Sequence, residues 1–508
     1  MRRWAFACVV VAGAASFVAA RASDVPDAAT VERRLRDASG PRPATERLVV
    51  AFDAYGLHGT RTTVRREDDV RETVVDGPFE TASGRYRDQG WHQNENGETV
   101  LEQSEPDSAE AESASATVTA IASPVAGYAL RRLNARGYGE IRYVDAATWR
   151  VVRRDVVGPR ETTTYAYDDF HTTSGYTRPW HWTVRDGHSE NDAEYRVVRD
   201  DVGPVTDADV AIPPTRRDLV RFPAGKNSVE LPVRFDEDKF IVHVRVGSRG
   251  LDFALDTGAD GITIDSDVAQ QLGLEAHGTM SNAVNAGRFT SSRVIVPEMD
   301  VGDLTMRDVV ADTVPHFAGG RERIYRTVGL LGFDFIAALV LRMDYEHGTV
   351  TAIAPETFAP PSDPLTNALT VRLGTDQPLT DVTVNGALGE RFAIDTGASG
   401  GVMLFDSFAR RHPEVTSGKD AVGLGVQTFN GAGGMFETRR YQLGSVRIGK
   451  VNFTGFQANV VDSKGAYDDG TDGLIGTDFL RLYTLYTDYV DSTLYLVPNE
   501  LGRAGIVR

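Results

Sequence analysis

The chain has 508 residues, 41% of them hydrophobic, a formal net charge of −18 at pH 7 and one cysteine. That length has room for about three domains and ample core, while the acidic balance argues against nucleic acid or anionic lipid as a partner. The one cysteine, Cys8, rules out a disulfide framework and lies in a segment expected to be removed, so no thiol chemistry is expected either.

Met1-Arg2-Arg3 is a short basic start, 5–20 is an apolar run, and Ala20-Arg21-Ala22 has the Ala-x-Ala form of a cleavage site. Residues 1–22 therefore predict a secretory signal peptide, too short to span a membrane, and a periplasmic or extracellular destination. No later stretch is apolar enough for an integral membrane segment.

Residues 23–215 form the first folded region, an antiparallel sheet domain with a few helices. A short helix is predicted around 28–38. Alternating stretches at 48–54, 61–66, 70–75, 140–144, 149–155, 162–167, 180–185 and 194–199 predict antiparallel strands with one wet face. The Glu/Ser/Ala-rich run 102–115 reads as a solvated loop. The stretch Tyr165 to Trp180, with Asp145-Ala146-Ala147-Thr148-Trp149 before it, resembles the hairpin of lipoprotein-sorting carrier-type proteins, which implies a concave sheet facing an apolar ligand or a peptide. A β domain that only holds the rest in place is the alternative, and Trp180 and Trp182 are then core residues.

Pro204, Pro213, Pro214 and Pro223, with charged residues between them, mark 204–226 as a linker or crossing segment, and the linker between domains is drawn at 216–227. Beyond it the chain repeats itself, in units of 228–355 and 365–498 joined by a proline-rich linker at 356–364 and followed by a tail at 499–508. In the first unit Phe253-Ala254-Leu255 runs into Asp256-Thr257-Gly258-Ala259; in the second Phe392-Ala393-Ile394 runs into Asp395-Thr396-Gly397-Ala398. An apolar strand ending in Asp-Thr-Gly presents a carboxylate at the tip of a tight turn, with Gly where the backbone must bend freely. One copy is a weak signal, a solvated turn Asp being the plain reading. Two copies with matching flanks are a strong one.

The flanks continue to match. Gly329-Leu330-Leu331-Gly332 parallels Gly473-Leu474-Ile475-Gly476, with Gly332 76 residues after Asp256 and Gly476 81 after Asp395. An Asp-Tyr pair, Asp344-Tyr345 or Asp488-Tyr489, follows 15 residues after Gly329 and after Gly473. Such duplication is read before anything else, and units of about 130 residues suit two lobes rather than a solenoid. In the first unit strands are predicted at 231–235, 240–246, 251–255 and 262–264, with a helix at 266–272 capped by Asp265 or Ser266. Gly287 with Phe289, and Gly434 with Phe436, start matched glycine-rich hairpins that suggest two mobile arms.

Each unit resembles the retropepsin-type aspartic protease lobe, on Asp-Thr-Gly-Ala and the later apolar-apolar-Gly. The resemblance runs from about 228 to 496. It implies two tandem β lobes forming an intramolecular pseudo-dimer, Asp256 and Asp395 as catalytic pair, Thr257 and Thr396 cross-linking the two turns beside Gly258 and Gly397, and Gly287, Phe289, Gly434 and Phe436 in substrate-binding flaps. Paired carboxylates share one proton, because both cannot ionise when held close. Such a pair hydrolyses a peptide or protein substrate with activated water and needs no cofactor or metal. The ten histidines, His243, His277 and His347 among them, show no metal-ligand spacing, and no phosphate loop occurs.

Three readings stand at this point: an exported aspartic endopeptidase acting as a monomer, an exported peptide- or lipid-binding protein on the same scaffold, and lobes that pair between chains. Two asymmetries stand out. Asp260 follows Ala259 where the second unit has Ser399, so an added carboxylate lies near Asp256, and Arg288 follows Gly287 in the first arm.

Overall fold

The computed structural model describes residues 25–103, 115–134, 137–158, 161–236, 238–284, 287–315, 327–431, 434–461 and 471–506. The signal-peptide reading, most of the 102–115 loop and the hairpin tips at 285–286 and 432–433 lie outside them. The fold is mainly β.

The N-terminal region is one 13-stranded antiparallel sheet. Two meanders, 45–101 and 117–201, join where Thr45–Ala54 pairs with Ala193–Asp201. Helix Ala28–Ser39 lies on it; Asp27 caps its start by accepting from the Thr30 N–H at 2.7 Å. Val31 is fully buried against Leu130 and Val144. The alternation in sequence predicts eight of these strands. Phe79–Tyr86, Gln89–Gln93, Thr99–Leu101, Thr117–Ile121 and Gly127–Leu133 are further strands. Several are short or broken by Gly and Ser, so period two is too brief to register, and pairing with neighbours decides them.

The two repeated units fold alike. In the first, Arg249–Leu255 delivers Asp256 and runs parallel to Gly329–Leu331, with Phe253 opposite Gly329. In the second, Ala387–Ile394 delivers Asp395 and runs parallel to Gly473–Ile475, with Phe392 opposite Gly473. Glycine is required at both places, because a Cβ there would collide with the Phe ring and with a neighbouring carbonyl oxygen. Each unit also carries a long meander of three strands. In the first these are His277–Val284, Gly287–Val301 and Leu304–Val314; in the second, Ala421–Gly431, Gly434–Ile448 and Val451–Val461.

A feature not read from the sequence joins the units. Ser228–Glu230, Thr349–Ile353 and Val340–Asp344 from the first unit continue into Tyr483–Asp488, Thr493–Pro498 and Asn367–Thr370 from the second, making a six-stranded sheet. The seam is an antiparallel ladder in which Arg342 faces Tyr486 and Leu341 faces Thr487. Burial is continuous across it: Phe253, Leu341, Met343, Phe392, Leu485 and Leu496 belong to one core. Such a seam fixes the relative position of the two Asp-bearing turns.

Candidate active site

Both Asp-Thr-Gly turns grow from the parallel strand pairs just described. The Asp256 N–H donates to the Leu331 carbonyl at 3.1 Å and the Asp395 N–H to the Ile475 carbonyl at 2.9 Å, so each turn is pinned to the closing Leu/Ile-Gly strand of its own unit. The turns are then tied to each other. The Thr257 hydroxyl donates to the Ile394 carbonyl at 2.6 Å and accepts from the Thr396 N–H at 3.0 Å. Reciprocally, the Thr396 hydroxyl donates to the Leu255 carbonyl and accepts from the Thr257 N–H, both at 3.0 Å. Thr257 and Thr396 are almost wholly buried, so four buried backbone groups depend on two side chains for their partners.

The result is that Asp256 and Asp395 face each other. A Cβ on Gly258 would come within 2.6 Å of the Asp395 carboxyl carbon, and one on Gly397 would collide with the Asp256 carboxylate. The Asp256 carboxylate accepts from the Gly258 N–H at 2.9 Å. That of Asp395 accepts from two N–H groups, Gly397 at 2.8 Å and Ala398 at 2.9 Å. Burial pushes the proton affinity of Asp256 up, and the neighbouring Asp395 pushes it further. Burial also raises Asp395, opposed by the Lys239 cation and by its two N–H donors. A pair that holds one proton between two carboxylates is what this arrangement supports.

Four further residues surround the pair, none of which the sequence reading assigns to the site. Lys239 is only 4% exposed, and its ammonium donates to the Thr396 carbonyl at 3.3 Å. The Gln377 amide donates to the Gly258 carbonyl at 2.7 Å. Tyr345 and Tyr489, the repeated Asp-Tyr tyrosines, lie buried with hydroxyls that have no hydrogen-bond partner among the described residues. Both are raised by burial first, Tyr489 then by both Asp residues and Tyr345 by Asp238 and Asp395. The tyrosines were legible as a repeat. Lys239 merely opens an alternating strand, and its sequence surroundings give no hint of where its side chain goes.

The hairpin residues fall less symmetrically. Gly287 and Gly434 open the return strands of their hairpins, opposite Val284 and Gly431. Phe436 faces Phe429 across its hairpin, the rings stacked at 6.0 Å, and packs with Ala398 against a small cluster that includes Ala393 and Leu474. That puts Phe436 beside the Asp395 turn. Phe289 faces Asn282 instead and joins none of the apolar clusters among the described residues. Asp260 falls in different surroundings. It is exposed and lines a pocket of about 300 Å³ together with Asp312 and Asp334. Arg288 pairs with Glu161 of the N-terminal sheet at 2.8 Å. Among the described residues no cluster of histidine, cysteine or carboxylates could hold a metal, and no helix is long and apolar enough to cross a membrane.

Comparison with known proteins follows this geometry. The family described as aspartyl protease matches residues 242–335 and 380–479, one segment in each unit. Among solved structures, the crystal structure of aspartic proteinase from Irpex lacteus is similar at 13% identity and a TM-score of 0.36, over 55% of this chain and 99% of that one. No curated protein matches. The chain thus contains two tandem aspartic-protease-like segments behind an antiparallel N-terminal sheet.

Proposed function

We propose that the chain is an exported aspartic endopeptidase of the retropepsin-like kind, working as a monomer with one catalytic Asp from each unit. The observation that carries this reading is the reciprocal threonine cross-link, which holds two half-buried carboxylates against each other, the proton affinity of each raised by burial. The ionised carboxylate takes a proton from water as the water oxygen adds to the peptide carbonyl carbon. The protonated carboxyl gives its proton to the carbonyl oxygen. A tetrahedral diol results; its collapse breaks the C–N bond, sends a proton to the leaving nitrogen and restores the pair. The two hairpins close on the peptide from either side, align the scissile bond and exclude bulk water.

The test is cleavage of casein from pH 3 to 8 by the intact chain, by Asp256→Asn and by Asp395→Asn. Cleavage by the first and by neither variant supports the reading; full activity in both variants sinks it.

A second reading assigns ligand binding to the N-terminal sheet. It draws on a cavity of about 980 Å³ between helix 28–39 and the sheet, lined by Leu35, Trp149, Val151 and Phe170. Binding of peptide or lipid without turnover across the same pH range favours it.

A further inference from the structure

The two halves of the site are not equivalent, and one difference between them is a charge. In the first unit, Lys239–Val246 pairs antiparallel with the strand delivering Asp256, with Ile241 opposite Ala254. In the second, Leu379 lies opposite Ala393 on the strand delivering Asp395. Two steps back along each register stand Lys239 beside Asp256 and Gln377 beside Asp395. They are mates under the pseudo-two-fold. Each reaches across to a backbone carbonyl of the opposite turn, Lys239 to Thr396 and Gln377 to Gly258. The geometry of the two contacts is alike, but only one of them brings a cation.

We propose, building on the endopeptidase reading, that Lys239 is a positioning residue that fixes the single negative charge of the pair on Asp395, making Asp395 the base and Asp256 the acid. A buried ammonium is costly unless an anion compensates it. Here the compensating charge is one electron's worth on the carboxylate pair. The Lys239 ammonium lies against the Asp395 side of it, through Thr396. The backbone adds in the same direction, since Asp395 accepts from two N–H groups and Asp256 from one. Asp238 on the same hairpin and Asp478 on helix Thr477–Leu480 also face Lys239. Tyr345 and Tyr489 are further titratable groups beside the pair among the described residues. Burial lowers the proton affinity of Lys239 itself, and Asp395 is the first of the anions that oppose the effect. Gln377 makes the matching contact without charge, so the pair is polarised in one sense only.

The sign follows. A cation favours the ionised form of a neighbouring carboxylate, so it lowers both ionisations of the pair. Removing it moves both limbs of a pH–rate profile to higher pH. The experiment uses the intact chain and Lys239→Gln, which reproduces the second unit's residue, with Lys239→Arg as the charge-retaining control. The expected result is that Lys239→Gln shifts both limbs of casein cleavage upward by about one pH unit, the low end of what an adjacent opposite charge does, while Lys239→Arg leaves them in place. Lower activity with unmoved limbs would assign Lys239 a purely structural role and overturn the proposal. So would higher activity at every pH with unmoved limbs, which would mark Lys239 as a plug on the site. Should Lys239→Gln fail to fold, Gln377→Lys runs the test in reverse, with limbs moving to lower pH.

A readout without turnover separates this proposal from the endopeptidase reading. The titration of ¹³C-labelled Asp carboxyls, assigned by Asp256→Asn and Asp395→Asn, reports the pair directly. If the intact chain cleaves nothing but the titration rises in Lys239→Gln, the charge assignment stands and the peptidase reading fails. If the chain cleaves casein and the titration does not move, the assignment alone fails.

Discussion

Thr257 and Thr396 contribute no charge and no apparent chemistry, yet the geometry of the pair depends on them. Replacing Thr257 by Val keeps its volume and removes its hydroxyl. The Thr396 N–H and the Ile394 carbonyl then lose their partner in a buried place. Leaving a buried polar group unsatisfied costs about 1–3 kcal/mol, so Thr257→Val is expected to lower the unfolding free energy by that much, read from a shifted urea midpoint, and to lose most activity. Thr257→Ser retains the hydroxyl and is expected to recover both. A different failure is expected at Gly397. The added methyl of Gly397→Ala meets the Asp256 carboxylate, so cleavage falls by about 100-fold or more, the scale of a misplaced acid–base group, while circular dichroism shows the fold retained.

At the scale of elements, the two long hairpins have different surroundings. The first is tied to the N-terminal sheet along its length. Its Thr279 N–H donates to the Tyr55 carbonyl at 2.7 Å, its Ser281 N–H to the Asn191 side chain at 2.8 Å, and Arg288 and Arg293 pair with Glu161 and Glu95. Arg293 also pairs with Asp76 and lies 4.3 Å above the Phe79 ring. The second hairpin shows Val422, Val426 and Met435 to solvent, Met435 at 73% exposure. Hydrogen exchange is therefore expected to be slower in 277–301 than in 421–448, because opening the first hairpin breaks contacts with a second sheet. Arg288→Ala combined with Arg293→Ala is expected to raise exchange in the first hairpin toward that of the second. Unchanged protection in the double variant would show that these ion pairs do not hold it.

At the scale of the whole molecule, groups with raised proton affinity gather where the N-terminal sheet meets the units. The Asp334 carboxylate, 4% exposed, accepts from Asn94 at 2.6 Å and from Asn96 at 2.9 Å, and Asn96 also exchanges hydrogen bonds with the Val310 backbone. Asn96→Ala orphans these groups and is expected to cost about 1–3 kcal/mol. Burial raises Asp334 to about 7 and Asp312 to about 7, each helped by neighbouring carboxylates, and burial raises Glu98 to about 8. The Asp376 carboxylate beside it raises His92 as well. All four groups hold protons more tightly folded than unfolded. Their contribution is full below the unfolded values, about 4 for the carboxylates and 6.5 for the histidine; for the three carboxylates it is lost as pH rises through 7 to 8, and for His92 as pH rises through its own raised value. Stability is thus expected to decline between pH 4 and 8, as followed by urea midpoints, and Asp334→Asn is expected to flatten that decline. A midpoint that rises over this window would contradict the assignment.

Much of this protein could be read from its residues in order. The duplication is written in Asp-Thr-Gly, in the later Gly-Leu-Leu-Gly and Gly-Leu-Ile-Gly, and in the Asp-Tyr pairs, because each is a local demand of backbone or turn. Helix Ala28–Ser39 and the strands with long alternation are legible for the same reason: periodicity reports which face is buried. Three things were decided only in the tertiary structure. The six-stranded sheet joining the units rests on pairing between strands more than 140 residues apart, as at Leu341 and Thr487. The anchoring of the first hairpin depends on single side chains of a separate sheet, and no pattern within 277–301 announces Glu161 or Asn191. The charge beside the pair comes from Lys239, a residue like any other at the start of a strand until the chain folds its ammonium under the opposite turn. Sequence carries short-range constraints of conformation, whereas burial, pairing and proton affinity belong to neighbours that only folding supplies.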